Sequence, residues 1–216
     1  PLLDSISKTK QTSKLSFTRQ NKLNAKKEII ALLPGSRKQE VSRMLKVMLK
    51  VVDQFPNYQF VVGCAPSLPL SYYKSIIGDA NVRLVVNKTY QLLQVSSAAV
   101  VTSGTATLET ALFYVPEVIC YKGNPISYLI AKNLIKVKYI CLVNLIMDRP
   151  VVKELIQNDL TPDNIADELR LLLTNHKRQR QLLDDYEELR MILGNAGASK
   201  NAASIIVSDI KNVKKN

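Results

Sequence analysis

Short apolar runs alternate with longer segments of helical periodicity from residue 28 onward. The run EIIALL at 28–33 is followed by QEVSRMLKVMLKVVDQF, whose apolar residues are spaced as on one helix face, and then by the apolar run QFVVG. This order of strand, helix and strand is typical of the start of a parallel sheet. Further strands are predicted at 82–86, 98–101 and 118–121, and further helices at 70–77, 90–95, 105–113 and 126–135.

Five short strands of nearly continuous apolar character predict a sheet that is covered by helices on both faces. The fold class is therefore predicted to be α/β, with a Rossmann-like, doubly wound parallel sheet. After residue 151 the chain is predicted to be almost entirely helical. One helix start is marked by Thr161 as N-cap and Pro162 at the first helical position.

The first 27 residues differ in composition from the rest of the chain. Residues 7–27 are rich in Lys, Ser, Thr, Gln and Asn, which predicts a flexible linker. The opening PLLDSI has no initiator methionine, so we expect the chain to be a piece of a longer protein. The predicted organisation is a crossover segment and linker at 1–27 and one domain at 28–216.

Composition and charge narrow the class of protein. The 216 residues are 46% hydrophobic, which is ample for a core, and 30 Lys and Arg against 18 Asp and Glu give a net charge of +12. Such a charge attracts nucleic acid, phosphorylated ligands or acidic lipid. Nucleic acid is disfavoured because the aromatic residues do not interleave with basic ones. Lysines interrupt the apolar tracts before the roughly 20 residues that span a bilayer, so we expect a protein that is soluble or rests on a membrane surface.

The cysteines and the histidine do not form a metal-binding pattern. Cys64, Cys120 and Cys141 lie in apolar runs without CxxC spacing, and His176, the one histidine, lies in a polar stretch. Soft metal sites need clustered cysteine or histidine ligands. We therefore predict buried, inert thiols and no metal site.

The motif LLPGSRKQEV carries the first candidate for ligand chemistry. Gly35 and Ser36 follow a predicted strand and precede a helix, where unpaired amides can point at an anion. Arg37 adds a charged hydrogen bond of about 1.5–3 kcal/mol, against about 0.3–1 kcal/mol for the helix dipole. The alternative is a simple tight turn followed by a solvated arginine.

The motif VVTSGTATLETAL repeats this arrangement. Ser103, Gly104 and Thr105 follow a strand and begin a helix, and Glu109 lies one turn further on, on the same side as the amides. A diphosphate on the amides would place a ribose near Glu109, whose carboxylate can accept hydrogen bonds from vicinal hydroxyls. The alternative is an ordinary exposed helix glutamate. Neither motif is a GxGxxG fingerprint or a P-loop, because no Walker lysine follows.

Four segments together resemble lipid-A-disaccharide synthase, a bacterial glycosyltransferase family. They are LLPGSRKQEV, TSGTATLETAL, NPISYLIAKNLIKVKYICLVNLI and LGNAGASKNAASII. The resemblance runs over nearly the whole chain but covers only the second half of the usual enzyme. It implies the C-terminal, donor-binding domain of a GT-B glycosyltransferase, without the acceptor half.

The resemblance also implies an activity. A hexosyltransferase of this family transfers 2,3-diacylglucosamine from its UDP conjugate to 2,3-diacylglucosamine 1-phosphate, releases UDP, and uses no metal cofactor. The general base is expected on the other half, so this chain alone is expected to be inactive. Location on the cytoplasmic face of the bacterial inner membrane is implied, and the lysine-bearing stretch 126–138 is expected either to contact anionic lipid or to belong to the core.

Residue by residue, the resemblance assigns the first motif to the donor diphosphate. Gly35, Ser36 and Arg37 are expected to face these phosphates. Arg37 is the expected catalytic group, because it would stabilise the negative charge that develops on the leaving UDP.

The second motif is assigned to the same ligand. The amides of Ser103, Gly104 and Thr105 are expected to bind the diphosphate, and Glu109 is expected to hold the ribose. Tyr121 ends a strand near the expected base pocket, although a core or rim aromatic is an alternative role.

Further candidates follow from the rest of the resemblance. Asn144 in CLVNLI is a candidate for contact with the donor sugar or phosphate, and Arg149, Glu154 and Gln157 are second-rank candidates. At position 150 the family pattern has glutamate where this chain has Pro150, and we expect the proline to start a helix.

Two other functions remain open at this point. A UDP-sugar 2-epimerase of similar architecture would share the nucleotide half but is not expected to share NPISYLIAKNLIKVKYICLVNLI. A noncatalytic UDP-binding module would lack an acceptor half altogether.

Overall fold

The structure, a computed structural model, describes residues 2–123 and 138–213. Its sheet consists of six parallel strands in the order β3-β2-β1-β4-β5-β6. Their bounds are β1 Glu28–Leu33, β2 Tyr58–Cys64, β3 Val82–Val86, β4 Ser96–Thr102, β5 Glu117–Tyr121 and β6 Lys153–Ile156. In this doubly wound order, the connections reverse direction between β1 and β4. The predicted α/β class and Rossmann-like sheet are therefore confirmed.

Helices cover both faces of the sheet. The described helices are α1 Leu2–Ser7, α2 Lys14–Gln20, α3 Lys38–Leu49, α4 Leu70–Ile77, α5 Thr89–Gln94, α6 Thr105–Leu112, α7 Leu142–Met147, α8 Pro162–Thr174, α9 His176–Leu193 and α10 Ala198–Val213. The start of α8 is the predicted one, because the Thr161 hydroxyl accepts a hydrogen bond from the Asn164 amide at 3.1 Å.

The two central strands are buried on both faces. Five of the six residues of β1 and the last five residues of β4 are buried. Ala31 pairs with Val61 on one side and with Ala99 on the other. Full burial of a Val, Ile or Leu side chain contributes about 1.5–3 kcal/mol. The carboxyl ends of β1 and β4 are therefore fixed points from which the following turns project.

A sixth strand occupies a region that was predicted to be helical. Lys153–Ile156 forms β6 at the sheet edge and pairs in parallel with β5. Of its four residues only Leu155 is buried, so this edge strand has no apolar run in the sequence. The helix predicted to start at Pro150 is also wrong, because the buried Val151 and Val152 lead directly into β6.

Part of the predicted flexible linker is packed against the domain. Residues 14–20 form α2, and Phe17 is 1% exposed in the core. The Thr12 amide also donates a hydrogen bond to the side chain of Gln94 at 2.7 Å. The prediction of a free linker is therefore wrong here, because one aromatic side chain anchors an otherwise polar stretch.

Two predictions fall on the gap in the described chain. The helix predicted at 126–135 and nearly all of the stretch 126–138 lie outside the described residues. None of the helices in the described ranges is long and apolar enough to cross a membrane. The three cysteines are free and buried as predicted, and burial raises the pKa of Cys64 to about 12.

Candidate functional site

A pocket of about 460 Å³ lies at the carboxyl ends of β1, β2 and β4. This is the edge where doubly wound sheets bind ligands, and it spans the point where the strand order reverses. The turns after these three strands, the start of α5 and one face of α6 line the pocket. Both sequence motifs meet here, and all seven of their predicted site residues are in the lining: Gly35, Ser36, Arg37, Ser103, Gly104, Thr105 and Glu109.

The turn after β1 is occupied by a side chain of the protein itself. The Glu40 carboxylate, from the first turn of α3, accepts hydrogen bonds from the Ser36 amide at 2.9 Å and the Arg37 amide at 3.4 Å. The Ser36 amide was predicted to be free for an anion, and that prediction is wrong because the amide donates to Glu40. The cause is a glutamate at the third helical position, which caps the amides that precede the helix.

Gly35 makes the close approach of Glu40 possible. Its φ of +99° lies in the region that favours glycine, and a Cβ at this position would lie 2.1 Å from Glu40 Oε2. A side chain here would therefore both strain the backbone and displace the carboxylate. Glycine at position 35 thus allows Glu40 to cap the turn.

The Arg37 side chain offers a free positive charge at this turn. It is exposed, and within the described ranges its guanidinium has no salt bridge or side-chain hydrogen bond. Because Glu40 occupies the amides, the guanidinium is the group through which this turn can attract an anion. A guanidinium matches phosphate geometry through two parallel N–H donors.

The turn after β4 leaves its helix amides open. The Ser103 amide donates to the Cys120 carbonyl at 3.0 Å, so it was wrongly predicted to be available for a ligand. In contrast, the amides of Thr105 and Ala106 at the start of α6 have no intramolecular acceptor among the described residues. Unpaired amides and the positive end of the helix dipole make this N-terminus suited to an anion.

Gly104 leaves space in front of these amides. Its backbone is extended, with φ 162° and ψ −162°, a conformation that any residue adopts. The nearest atom to a Cβ built on Gly104 is the Thr102 carbonyl oxygen at 4.0 Å. Glycine is therefore not required here for folding, and the volume beside it belongs to the pocket.

Glu109 lies one turn further along α6 and is half-buried, in contrast to the exposed helix glutamate of the alternative interpretation. Its Oε1 atom accepts a hydrogen bond from the Tyr90 hydroxyl at 2.8 Å. Burial raises the pKa of Glu109 above its ordinary value, and the hydrogen bond from Tyr90 opposes this rise. An acceptor is thus positioned beside the open end of α6.

Comparison with known proteins identifies the family. A family model described as lipid-A-disaccharide synthetase matches residues 1–208 of the chain. The chain belongs to this family. The lipid-A-disaccharide synthase of Coxiella burnetii (strain CbuG_Q212) is 36% identical over 202 residues, which are 92% of this chain and 54% of that protein. The lipid-A-disaccharide synthase of Syntrophus aciditrophicus (strain SB) is 39% identical over 218 residues, which are 98% of this chain and 56% of that protein.

The chain spans about half the length of the curated relatives it matches. Solved glycosyltransferases share its fold at low sequence identity. WaaG, a glycosyltransferase involved in lipopolysaccharide biosynthesis, has a TM-score of 0.57 at 13% identity. The alignment covers 93% of this chain and 52% of the WaaG chain. Escherichia coli ADP-heptose heptosyltransferase II has a TM-score of 0.56 at 16% identity. The alignment covers 77% of this chain and 54% of that protein. These likenesses confirm the predicted GT-B type of fold.

Asn144 and Glu154, two of the candidates outside the two motifs, are not among the residues that line the pocket. The Asn144 side chain is buried and exchanges two hydrogen bonds of 2.9 Å with the Val152 backbone. Glu154 accepts from the amides of Ile140 and Cys141 and from the Asn144 amide group. The two side chains thus tie α7 to β6, beside a separate pocket of about 390 Å³.

Three further candidates do not line the pocket at the ends of β1, β2 and β4 either. Arg149 forms ion pairs with Asp185 at 2.8 Å and Glu188 at 2.5 Å, which hold it against α9. Gln157 follows β6 with a φ of 52°, and its buried side-chain nitrogen has no hydrogen-bond partner within the described ranges. Tyr121 is half-buried at the end of β5. The ligand roles of these residues stay predictions.

Sequence reasoning missed two residues of the site. Glu40 could have been found, because a glutamate in the first turn of a helix can reach back and accept hydrogen bonds from the amides that precede the helix. Tyr90 gave no such signal, because it lies 19 residues before Glu109 and meets it only when α5 packs beside α6.

Proposed function

We propose that this chain is the donor-binding half of a lipid-A-disaccharide synthase and that its pocket binds UDP-2,3-diacylglucosamine. The observation that carries the proposal is the meeting of both sequence motifs in one pocket at the sheet reversal point. The pocket combines the Arg37 guanidinium, two helix amides that have no acceptor among the described residues, and the Glu109 carboxylate, while its second carboxylate, Glu40, caps the turn after β1. The first three groups complement, in order, a diphosphate charge, a phosphate oxygen and a pair of hydroxyls.

The diphosphate is assigned to the space between Arg37 and the N-terminus of α6. The amides of Thr105 and Ala106 can donate to phosphate oxygens without breaking any hydrogen bond in the described chain. The amides of Ser36 and Arg37 would first have to exchange Glu40 for the ligand. The open amides of α6 are therefore the main backbone contact, and Arg37 supplies the charge.

The ribose is assigned to Glu109. An ionised carboxylate only accepts hydrogen bonds, and its two oxygens can serve two vicinal hydroxyl donors. The rise from Thr105 to Glu109 is one turn of α6, about 6 Å along the axis. A nucleoside diphosphate fits this separation, because its sugar is joined directly to the phosphates that contact the helix N-terminus.

Catalysis by this half is assigned to stabilisation of the leaving group. When the bond between the donor anomeric carbon and the UDP β-phosphate oxygen breaks, negative charge grows on that phosphate. The α6 amides are held in place by the helix before the reaction, and Arg37 adds a positive charge, so together they stabilise the negative charge as it develops. The acceptor hydroxyl of 2,3-diacylglucosamine 1-phosphate loses its proton to a base that we assign to the other half of the enzyme. No metal ion is assigned a role.

A fold neighbour supports a nucleoside diphosphate as the ligand class. The spinosyn rhamnosyltransferase SpnG, solved in complex with thymidine diphosphate, has a TM-score of 0.52 at 11% identity and covers 76% of this chain. The low identity limits the likeness to the fold. The choice of UDP rather than thymidine diphosphate rests on the family to which this chain belongs.

The working location is proposed to be the cytoplasmic face of the bacterial inner membrane. Both proposed substrates are acylated and would be presented by a bilayer. The net charge of +12 favours an anionic lipid surface, to which each nearby lysine or arginine adds about 1 kcal/mol. The family match favours this function over the epimerase alternative.

A chimeric enzyme tests the activity. This chain would replace the matching segment of the Syntrophus aciditrophicus relative, of which it covers 56%. We expect the chimera to release UDP and form the disaccharide, detected by mass spectrometry. A folded Arg37→Ala chimera should be at least tenfold slower, because it lacks the leaving-group charge.

Other outcomes of this experiment would replace the proposal. A folded chimera that binds UDP without forming disaccharide would favour a noncatalytic binding module. Interconversion of UDP-N-acetylglucosamine at carbon 2 of the sugar would favour the epimerase.

A further inference from the structure

Tyr90 approaches Glu109 from behind the pocket. Its hydroxyl donates to Glu109 Oε1 at 2.8 Å, yet Tyr90 is not among the residues that line the cavity. Its ring packs on Phe113, with ring centroids 5.2 Å apart and planes tilted by 51°. Phe113 follows Glu109 by four residues at the end of α6, so the same helix that carries the carboxylate also orients the tyrosine.

The hydrogen bond from Tyr90 is the one that the Glu109 side chain accepts within the described ranges. Burial raises the pKa of Tyr90, so the phenol keeps its proton and remains a donor near neutral pH. Because the Tyr90 hydroxyl uses one lone pair of Oε1, the Oε2 atom and the other lone pair of Oε1 can accept hydrogen bonds from a ligand. A long flexible side chain is thereby restricted to a narrow set of rotamers before any ligand arrives.

We propose that Tyr90 is a positioning residue that fixes Glu109 to select nucleotides with vicinal ribose hydroxyls. This inference rests on the proposed function of the pocket, since it takes UDP as the ligand. Tyr90 does not touch the nucleotide itself. Its effect reaches the ligand through the orientation and the charge of the Glu109 carboxylate.

The test compares UDP with 2′,3′-dideoxy-UDP by calorimetry on the full chain. The wild type should prefer UDP, because only UDP has both hydroxyls. Tyr90→Phe keeps the ring on Phe113 and removes the hydroxyl, so it should weaken UDP binding by about three- to tenfold and leave dideoxy-UDP unchanged. Tyr114→Phe is the matched control, because the Tyr114 hydroxyl donates to Glu187 outside the pocket. It should change neither affinity.

A double-mutant cycle adds a second readout. Glu109→Gln should also reduce the preference for UDP, and Tyr90→Phe should add little in that background, because it acts through Glu109. Circular dichroism would establish that each variant is folded.

The outcomes separate this inference from the proposed function. If the folded wild type binds no UDP, the proposed function fails, and the role of Tyr90 falls with it. If Glu109→Gln loses the preference but Tyr90→Phe retains it, only the inference about Tyr90 is overturned. Equal weakening of both ligands by Tyr90→Phe would likewise overturn it, since that pattern indicates a general structural role.

Discussion

The turns after β1 and after β4 look alike in sequence but present different groups to the pocket. Each has a glycine near the end of a buried strand and leads into a helix. After β1, the Ser36 and Arg37 amides donate to Glu40, and the Arg37 guanidinium has no salt bridge with any described residue. After β4, the amides of Thr105 and Ala106 have no acceptor in the part of the chain that the structure describes. One turn therefore offers a mobile charge, and the other offers fixed backbone donors.

The residue at the third helical position accounts for the difference. In α3 this residue is Glu40, which can only accept hydrogen bonds when ionised and therefore caps the turn amides. In α6 it is Thr107, whose hydroxyl donates to the Gly104 carbonyl at 2.8 Å. This hydroxyl therefore does not cap the amides of Thr105 and Ala106. The hydrogen-bonding chemistry of this one residue decides whether a helix start is satisfied internally or remains open to a ligand.

The largest expected effect comes from removing the free charge of the first turn. Arg37→Ala should weaken UDP binding by about 10- to 100-fold, because a hydrogen bond to a charged group contributes about 1.5–3 kcal/mol. Calorimetric titration at fixed low salt measures the change. Lys46→Ala is the matched control, because Lys46 is exposed on the same helix outside the pocket. A similar loss in both variants would mean that Arg37 acts only through net charge.

Substitution of the two glycines by alanine should affect different properties, namely stability at Gly35 and UDP affinity at Gly104. Gly35→Ala should lower the free energy of unfolding by about 1–3 kcal/mol, because it strains a positive φ and displaces Glu40. Gly104→Ala should leave stability nearly unchanged but weaken UDP binding, since its methyl group would enter the pocket. Urea denaturation and calorimetry measure the two effects. Equal destabilisation by both substitutions would contradict the assigned difference between the turns.

The pH dependence of UDP binding should report on Glu109. Burial raises its pKa above the ordinary value of 4.5, and only the ionised form accepts hydrogen bonds from both hydroxyls. Affinity should therefore fall as the pH decreases through this raised pKa, starting above pH 4.5. The ratio of wild-type to Glu109→Gln affinity isolates the effect, because titration of the UDP phosphate acts on both proteins. A ratio that is constant across this range would show that Glu109 does not bind the ribose.

The smallest expected effect concerns the internal cap. Glu40→Gln should lower the free energy of unfolding by roughly 0.5–1 kcal/mol, because a neutral acceptor caps the turn less strongly. UDP affinity should stay the same or rise slightly, since the diphosphate is assigned to α6 and a nearby negative charge is removed. A loss of affinity as large as that of Arg37→Ala would show that Glu40 contacts the donor.

Most of the sheet could be predicted from the sequence, because a strand buried on both faces has to be apolar along its length. The runs at β1 and β4 met this condition, and the start of α8 was marked by Thr161 and Pro162. The edge strand β6 could not be predicted, because it buries one residue and resembles a helical stretch. Both pocket motifs were also predictable, because strand, turn and helix are adjacent in the chain.

The state of individual polar groups was less predictable than their location. The sequence showed that Ser36 and Arg37 lie at a helix start, but the capture of their amides by Glu40 depends on the positive φ of Gly35. Asn144 and Arg149 likewise looked like ligand groups. Their partners Val152 and Asp185 are brought to them only by the packing of β6 and α9.

One measurement tests the central claim most directly: calorimetric titration of UDP into the wild-type chain, Arg37→Ala and Glu109→Ala, all shown to be folded. Arg37 directly precedes α3 and Glu109 lies on α6, so the two substituted residues line opposite sides of the switch between β1 and β4 in the same pocket. We predict saturable binding with one site in the wild type and a severalfold or greater loss in each variant. Absence of UDP binding to a folded wild-type chain, or binding that neither substitution weakens, would contradict the assignment of this pocket to the nucleotide donor.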